Sequence, residues 1–127
     1  MIYSVVKDDS LETVFNIVLG KKNIGFISRF EPYSKEYSKI LNGRACVGWY
    51  IQIFKKYQRK GHCLNVIKQM IESTDCEYFV ISKPLDQELW SDLCEKIKQE
   101  HLIEDYYIKQ VMKRDVCEIQ EDLIIKK

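Results

Sequence analysis

The stretch Tyr57–Cys63 reads YQRKGHC and lies between an apolar run, ACVGWYIQIF, and an amphipathic one, LNVIKQMIES. Arg59 and Lys60 stand just ahead of Gly61, where the hydrophobic spacing predicts the start of a helix. A helix start leaves its first backbone N–H groups unpaired and carries partial positive charge. A phosphate placed there satisfies both, provided a bare backbone lets it approach. Gly61 can also serve the strand-to-helix turn alone, so the rest of the chain must decide. His62 lies inside the turn, where its backbone is the part of interest and its side chain is expected in solvent. His101 reads as a surface or cap residue.

Other reactive side chains are sparse. The five cysteines (Cys46, Cys63, Cys76, Cys94 and Cys117) are an odd number without a CxxC pair or metal-ligand spacing. They point to reduced thiols in a cytosol-like compartment, with no metal site. Cys46 and Cys76 read as small buried hydrophobes. Tyr33 and Tyr37 could line a groove, but a solvated loop is the favoured reading. Trp49 and Trp90 read as core or interface aromatics.

Several elements must position these residues. Residues 2–6, IYSVV, read as a strand and Lys7–Ser10 as a turn. Residues 11–19, LETVFNIVL, admit two readings. Asp9 with Glu12 would cap a helix whose Leu11, Val14, Phe15 and Val18 share a face. The β-branched run followed by Gly20–Asn23 and IGFISRF reads instead as a hairpin, which is favoured. Residues 31–44 look like a loop with at most a short element. Residues 45–54 are expected to form one continuous central strand, buried on both faces.

The spacing of Leu64, Ile67, Met70 and Ile71 predicts a helix from Gly61 to about Ser73. YFVIS (78–82) reads as a second buried strand. Residues 86–99 read as a helix with Leu89, Trp90, Leu93 and Ile97 inward and Asp86 or Asp92 and Glu95 toward solvent. The C-terminal part reads as two strands joined around Lys113-Arg114-Asp115. The sum is an α+β fold: a mixed sheet carrying two main helices, in one domain over residues 1–127. The strands flanking the first helix suit a parallel crossover.

The totals narrow the function. With 127 residues the chain can bury a real core, and 46% hydrophobic against 31% charged residues describes a globular protein. Twenty basic against 19 acidic side chains leave a net charge of +1, which argues against a nucleic-acid or anionic-membrane partner. The first residues, MIYSVVKDDS, lack the pattern of a signal peptide, and no run approaches the roughly 20 apolar residues of a membrane span. A cytoplasmic protein is expected.

Taken together, IQIFKKYQRKGHCLNVIKQMIES resembles the central segment of the GNAT superfamily of N-acetyltransferases. The family pattern [Arg/Gln]-x-x-Gly-x-[Gly/Ala] falls on Gln58-Arg59-Lys60-Gly61-His62-Cys63, and the aliphatic pair of the following helix on Val66-Ile67. KKNIGFISRF is similar to the family strand with an Ile-Gly-aliphatic step, and the likeness covers most of residues 13–113. It implies a mixed sheet with a V-shaped splay of strands and acetyl-CoA as acyl donor. Backbone groups from Arg59 through His62 to Cys63, with Gln58 and Lys60, would bind the pyrophosphate. Ile51, Gln52 and Ile53 would face the pantetheine arm and acetyl carbonyl, with Gln87 near the family's common Asn. Lys55 and Lys56, which alone could suit a nucleic-acid backbone, would then face the cofactor's phosphates.

The sequence also departs from the family. Cys63 replaces the final Gly or Ala. Cys94 stands where the family often has a Tyr that protonates the departing thiolate, with Tyr106 and Tyr107 as substitutes nearby. No acid lies between Glu36 and Glu72, so the general base falls to Glu31, with Tyr50 on the central strand. The expected activity is acetyl transfer from acetyl-CoA to a primary amine by direct attack. If residues 11–30 form a hairpin, two early family helices are absent and the open acceptor side favours a protein side chain or terminus. The alternative is an inactive module of the same fold that binds coenzyme A or a partner protein. The sequence leaves the oligomeric state open, a homodimer included.

Overall fold

The computed structural model describes residues 2–10, 14–113 and 117–127. Three antiparallel strands open the fold: β1 (Tyr3–Lys7), β2 (Val14–Leu19) and β3 (Lys22–Ser28). The hairpin reading of this region is therefore correct over Val14–Ser28. Its loop is tighter than expected, because Leu19 already pairs with Lys22 across Gly20 (φ 64°) and Lys21. Leu11 and Glu12, on which the helical reading leaned, lie outside the described residues, as does the Arg114-Asp115 turn.

A short helix, α1 (Lys35–Leu41), follows. Ser34 caps it by accepting the Tyr37 N–H, and Asn42 in the left-handed region ends it. Next come β4 (Ala45–Gly48), β5 (Tyr50–Ile53), a 3-10 turn (Lys55–Tyr57) and α2 (His62–Ser73). The remaining elements are β6 (Tyr78–Ser82), α3 (Gln87–Gln99), β7 (Asp105–Lys113) and β8 (Glu118–Lys126). β4 and β6 pair in parallel around α2, while β8 inserts antiparallel between β6 and β7.

The expected continuous strand over 45–54 is a correction. It breaks at Trp49, so that β4 belongs to the sheet β4-β6-β8-β7 and β5 to the sheet β1-β2-β3-β5. β4 is buried throughout, but Tyr50 on β5 is exposed and Ile51 and Gln52 only half-buried. An apolar run marks burial; it does not mark where a strand changes partner.

α2 and α3 cover one face. Val66, Ile67, Met70 and Ile71 of α2 and Cys94 and Ile97 of α3 join one core cluster with Ile17, Ile27, Phe79, Leu123 and Ile125. Each such aliphatic burial contributes about 1.5–3 kcal/mol. On α3 the inward stripe is Trp90, Leu93, Cys94 and Ile97, whereas Leu89 is 61% exposed, contrary to the sequence reading. Asp86 is used locally, as the N-cap that accepts the Leu89 N–H. The opposite face carries a smaller cluster of Tyr37, Val47, Val80, Val111 and Ile124 beneath α1. No helix among the described residues is long and apolar enough to cross a membrane.

Candidate active site

The site is built where the two sheets part. The last parallel pair is Gly48 with Ile81, and beyond it, among the described residues, β5 pairs only with β3, from Ser28–Tyr50 to Gly25–Ile53. Two irregularities make the turn-away. Arg29 takes a left-handed φ of 52°, and the Trp49 N–H donates to the Ser28 carbonyl beside the last regular pair. The Phe54 N–H donates to the Ile24 carbonyl at 2.8 Å, which fixes the alternation of the ladder. Backbone groups of Tyr50 and Gln52 therefore face β3, and those of Ile51 and Ile53 face the gap. Gln58 Nε2 holds the Ile53 carbonyl at 2.7 Å, tying the following turn to the strand end. Ile51 presents its N–H and C=O to the gap.

The turn then delivers the helix start. Arg59 (φ 62°) and Gly61 (φ 77°) are both left-handed, and the first intrahelical bond runs from the Asn65 N–H to the Gly61 carbonyl. The N–H groups from Gly61 to Leu64 therefore precede the helical ladder. Gly61 offers no side-chain cap and the first turn holds no acid. Lys55, Lys56, Arg59 and Lys60 are all exposed around it. A Cβ on Gly61 would meet only Asn65 Nδ2, at 3.9 Å, so the space above the turn is open.

His62 corrects the sequence reading. Its side chain is buried, 7% exposed, and its Nδ1 lies 2.8 Å from the Tyr3 hydroxyl. The Gln69 side chain pairs with both backbone groups of Tyr3, so β1 is clipped to α2 at two levels. Cys63 is half-buried, and burial pushes its thiol up, which suits a small apolar filler.

No protein-family model and no curated protein matches the sequence. Solved structures do match. The chain is similar to the diaminobutyrate acetyltransferase EctA of Paenibacillus lautus, solved with its substrate L-2,4-diaminobutyric acid and coenzyme A. That likeness has a TM-score of 0.59 at 12% identity, over 90% of this chain and 69% of the other. It is also similar to a Bacillus subtilis acetyltransferase solved with coenzyme A, with a TM-score of 0.52 at 12% identity over 94% and 81% of the two chains. The fold is that of the GNAT acetyltransferases. The V-shaped splay that the GNAT resemblance implied is the gap between β5 and β6.

The expected catalytic side chains fare unevenly within this GNAT frame. Glu31 is exposed and faces Val47 through backbone hydrogen bonds of 2.8 and 3.0 Å, on the α1 side. Tyr50, 40% exposed, lies beside Phe26 with its ring tilted 50° at 6.2 Å between centroids, and Gln52 is half-buried. Gln87 opens α3 and gives its Nε2 to Glu121 at 2.8 Å. Cys94 is a correction: it has no exposed surface, and burial pushes its thiol up to about 12. A thiol sealed in the core cannot hand a proton to a ligand in the gap. Cys94→Ala is expected to leave the pH profile and rate per folded molecule unchanged, with only a modest fall in thermal stability.

The tyrosine substitutes are no better placed. Tyr106 donates to Glu95 at 2.7 Å, and that hydrogen bond raises its pKa to about 12. Tyr107 pairs with Ile124, whose side chain belongs to the cluster under α1, on the face away from α3.

The sequence reading missed a polar cluster on the α1 face. Asp122 is fully buried and accepts from Tyr37 Oη (2.5 Å), Gln120 Nε2 (2.8 Å), the Lys83 N–H (3.1 Å) and Ser82 Oγ (3.4 Å). Tyr37, expected in a solvated loop, is 1% exposed, and burial raises its pKa first, the bond to Asp122 second. The cluster pins α1 to the sheet and holds Lys83 (φ 49°), where β6 turns toward α3. An acid set directly before the apolar Leu123-Ile124-Ile125 was the signal available in sequence. Tyr37→Phe would strip a buried carboxylate oxygen of its shortest donor, at a cost of about 2–3 kcal/mol. Ser82→Ala, at the longest contact, should cost less, and urea unfolding of both variants reads the difference.

Proposed function

We propose that the protein transfers the acetyl group of acetyl-CoA to a primary amine. The observation that carries this reading is the juxtaposition of two backbone sites: the open helix start at Gly61 and the edge of β5 at Ile51, unpaired among the described residues. The pyrophosphate of the acyl donor sits on the N–H groups from Arg59 to Cys63, with Lys55, Lys56, Arg59 and Lys60 as counter-charges. The pantetheine arm follows the free edge of β5 and its amides pair with Ile51. The acetyl carbonyl lies in the gap, where a backbone N–H stabilises the charge that develops on oxygen as the amine attacks. The new C–N bond forms as the C–S bond breaks, and the amine proton leaves through Glu31 or water while the thiolate takes one from solvent. Positioning and carbonyl polarisation supply most of the rate. The diaminobutyrate and coenzyme A bound to the Paenibacillus lautus enzyme support an amine acceptor and this donor.

The burial of Cys94 favours a second reading, a module that binds coenzyme A without turnover. Release of free thiol from acetyl-CoA in the presence of an amine panel separates the two. Amine-dependent release supports transfer; tight binding of coenzyme A with no release under any amine supports the module.

A further inference from the structure

From Phe54 to Asn65, all described, His62 alone is buried. Its neighbours Arg59, Lys60 and Gly61 are exposed, two of them left-handed, and no side chain caps the helix start. Gln58 ties the earlier part of the turn to β5. The part nearer α2 has His62 as its inward anchor.

That anchor reaches the far strand of the first sheet. His62 Nδ1 lies 2.8 Å from Tyr3 Oη, and the two rings meet edge-to-face, 5.8 Å between centroids and 79° between planes. Tyr3 is itself buried, 3% exposed. Its backbone N–H donates to Gln69 Oε1 at 2.9 Å, and its carbonyl accepts from Gln69 Nε2. His62 and Gln69 stand seven positions apart on α2, two turns along one face. One residue of β1 thus grips the helix at two levels, which resists both sliding along its axis and rotation about it. β1 belongs to the sheet β1-β2-β3-β5, so the sheet that holds the helix start also carries the edge at Ile51.

On the donor reading above, we infer that Tyr3 is a positioning residue for the phosphate end of the donor site. Its role is indirect: through His62 it sets where the first N–H groups of α2 stand relative to Ile51. A pyrophosphate needs several of those N–H groups in place at once, whereas the pantetheine arm pairs with β5. An untethered turn must be ordered as the ligand arrives, and that cost comes out of the affinity. A strand outside the glycine-bearing motif is thereby made part of the phosphate site.

The test is Tyr3→Phe, which keeps the buried ring and removes the hydroxyl. Calorimetric titration of the full chain is expected to show coenzyme A binding weakened by roughly five- to ten-fold, the worth of one hydrogen bond of preorganisation. A pantetheine fragment without the pyrophosphate, followed by the Ile51 amide NMR signal, should bind wild type and variant alike. His62→Asn offers Tyr3 an amide group near the Nδ1 position and should retain more coenzyme A affinity than His62→Leu. Tyr37→Phe removes a buried hydroxyl on the α1 face and is the stability control. It should lower the melting temperature and leave coenzyme A affinity as it was. Wild-type affinity in Tyr3→Phe, an equal loss for the fragment, an equal loss in Tyr37→Phe, or His62→Asn no better than His62→Leu would overturn the inference. A wild-type chain that binds no coenzyme A would overturn the donor reading and this role with it; wild-type binding that survives Tyr3→Phe overturns the role alone.

Discussion

Gly61→Val is expected to abolish the proposed binding of coenzyme A while most of the protein remains folded. The residue sits at φ 77°, a region that costs an L-residue about 1–2 kcal/mol and a β-branched one more. The stability loss stays near that size, because a side chain there meets no packed neighbour. Binding suffers far more, since the new side chain fills the space from which the first N–H groups of α2 face a phosphate. Gly61→Asn separates strain from blockage. Asparagine tolerates the left-handed region, so it should lose less stability than valine and still lose affinity by on the order of 100-fold or more. Calorimetric titration beside thermal unfolding reads both quantities. Retained affinity in either variant would remove the turn from the phosphate site.

Gly25→Ala is expected to damage the fold and the site together. An added Cβ would stand 2.1 Å from the Gln52 carbonyl oxygen and 3.0 Å from Ile53 Cα, both backbone atoms of the paired strand. Neither can rotate away as a side chain would. β3 and β5 must therefore separate, and among the described residues β5 has no second partner to keep it in place. The cost should reach about 3 kcal/mol, the upper part of the range for overpacking. Ile51 then loses its fixed orientation toward the gap, so coenzyme A affinity falls as well. Denaturant unfolding, with hydrogen exchange at the Phe26 and Gln52 amides, measures the separation. Wild-type stability and exchange would show that the two backbones are not in such close contact.

Much of this architecture was legible in the chain. The period-2 runs, the amphipathic spacing of α2 and the glycine-bearing turn pointed to the element order, and the strand-turn-helix motif pointed to the candidate site. Burial at single positions was not legible. His62 reads as a solvated turn residue until Tyr3, 59 positions away, is seen to take its Nδ1. Cys94 reads as a stand-in for a proton donor until the packing of α3 seals it. Tyr37 and Asp122, 85 residues apart, meet only because β8 inserts between β6 and β7. The break at Trp49 was hidden for a related reason: both halves of an apolar run look alike when only the partner strand changes. Arg29 carried no local signal, since its left-handed backbone arises from two strands crossing between sheets.

The most direct test is calorimetric titration of the full chain with acetyl-CoA, beside coenzyme A and a pantetheine fragment lacking the pyrophosphate. The proposed site predicts micromolar binding of the first two and a steep loss with the fragment, abolished for the first two by Gly61→Val. Absence of binding at any reachable concentration, or equal affinity for the fragment, would contradict a phosphate seated at the start of α2.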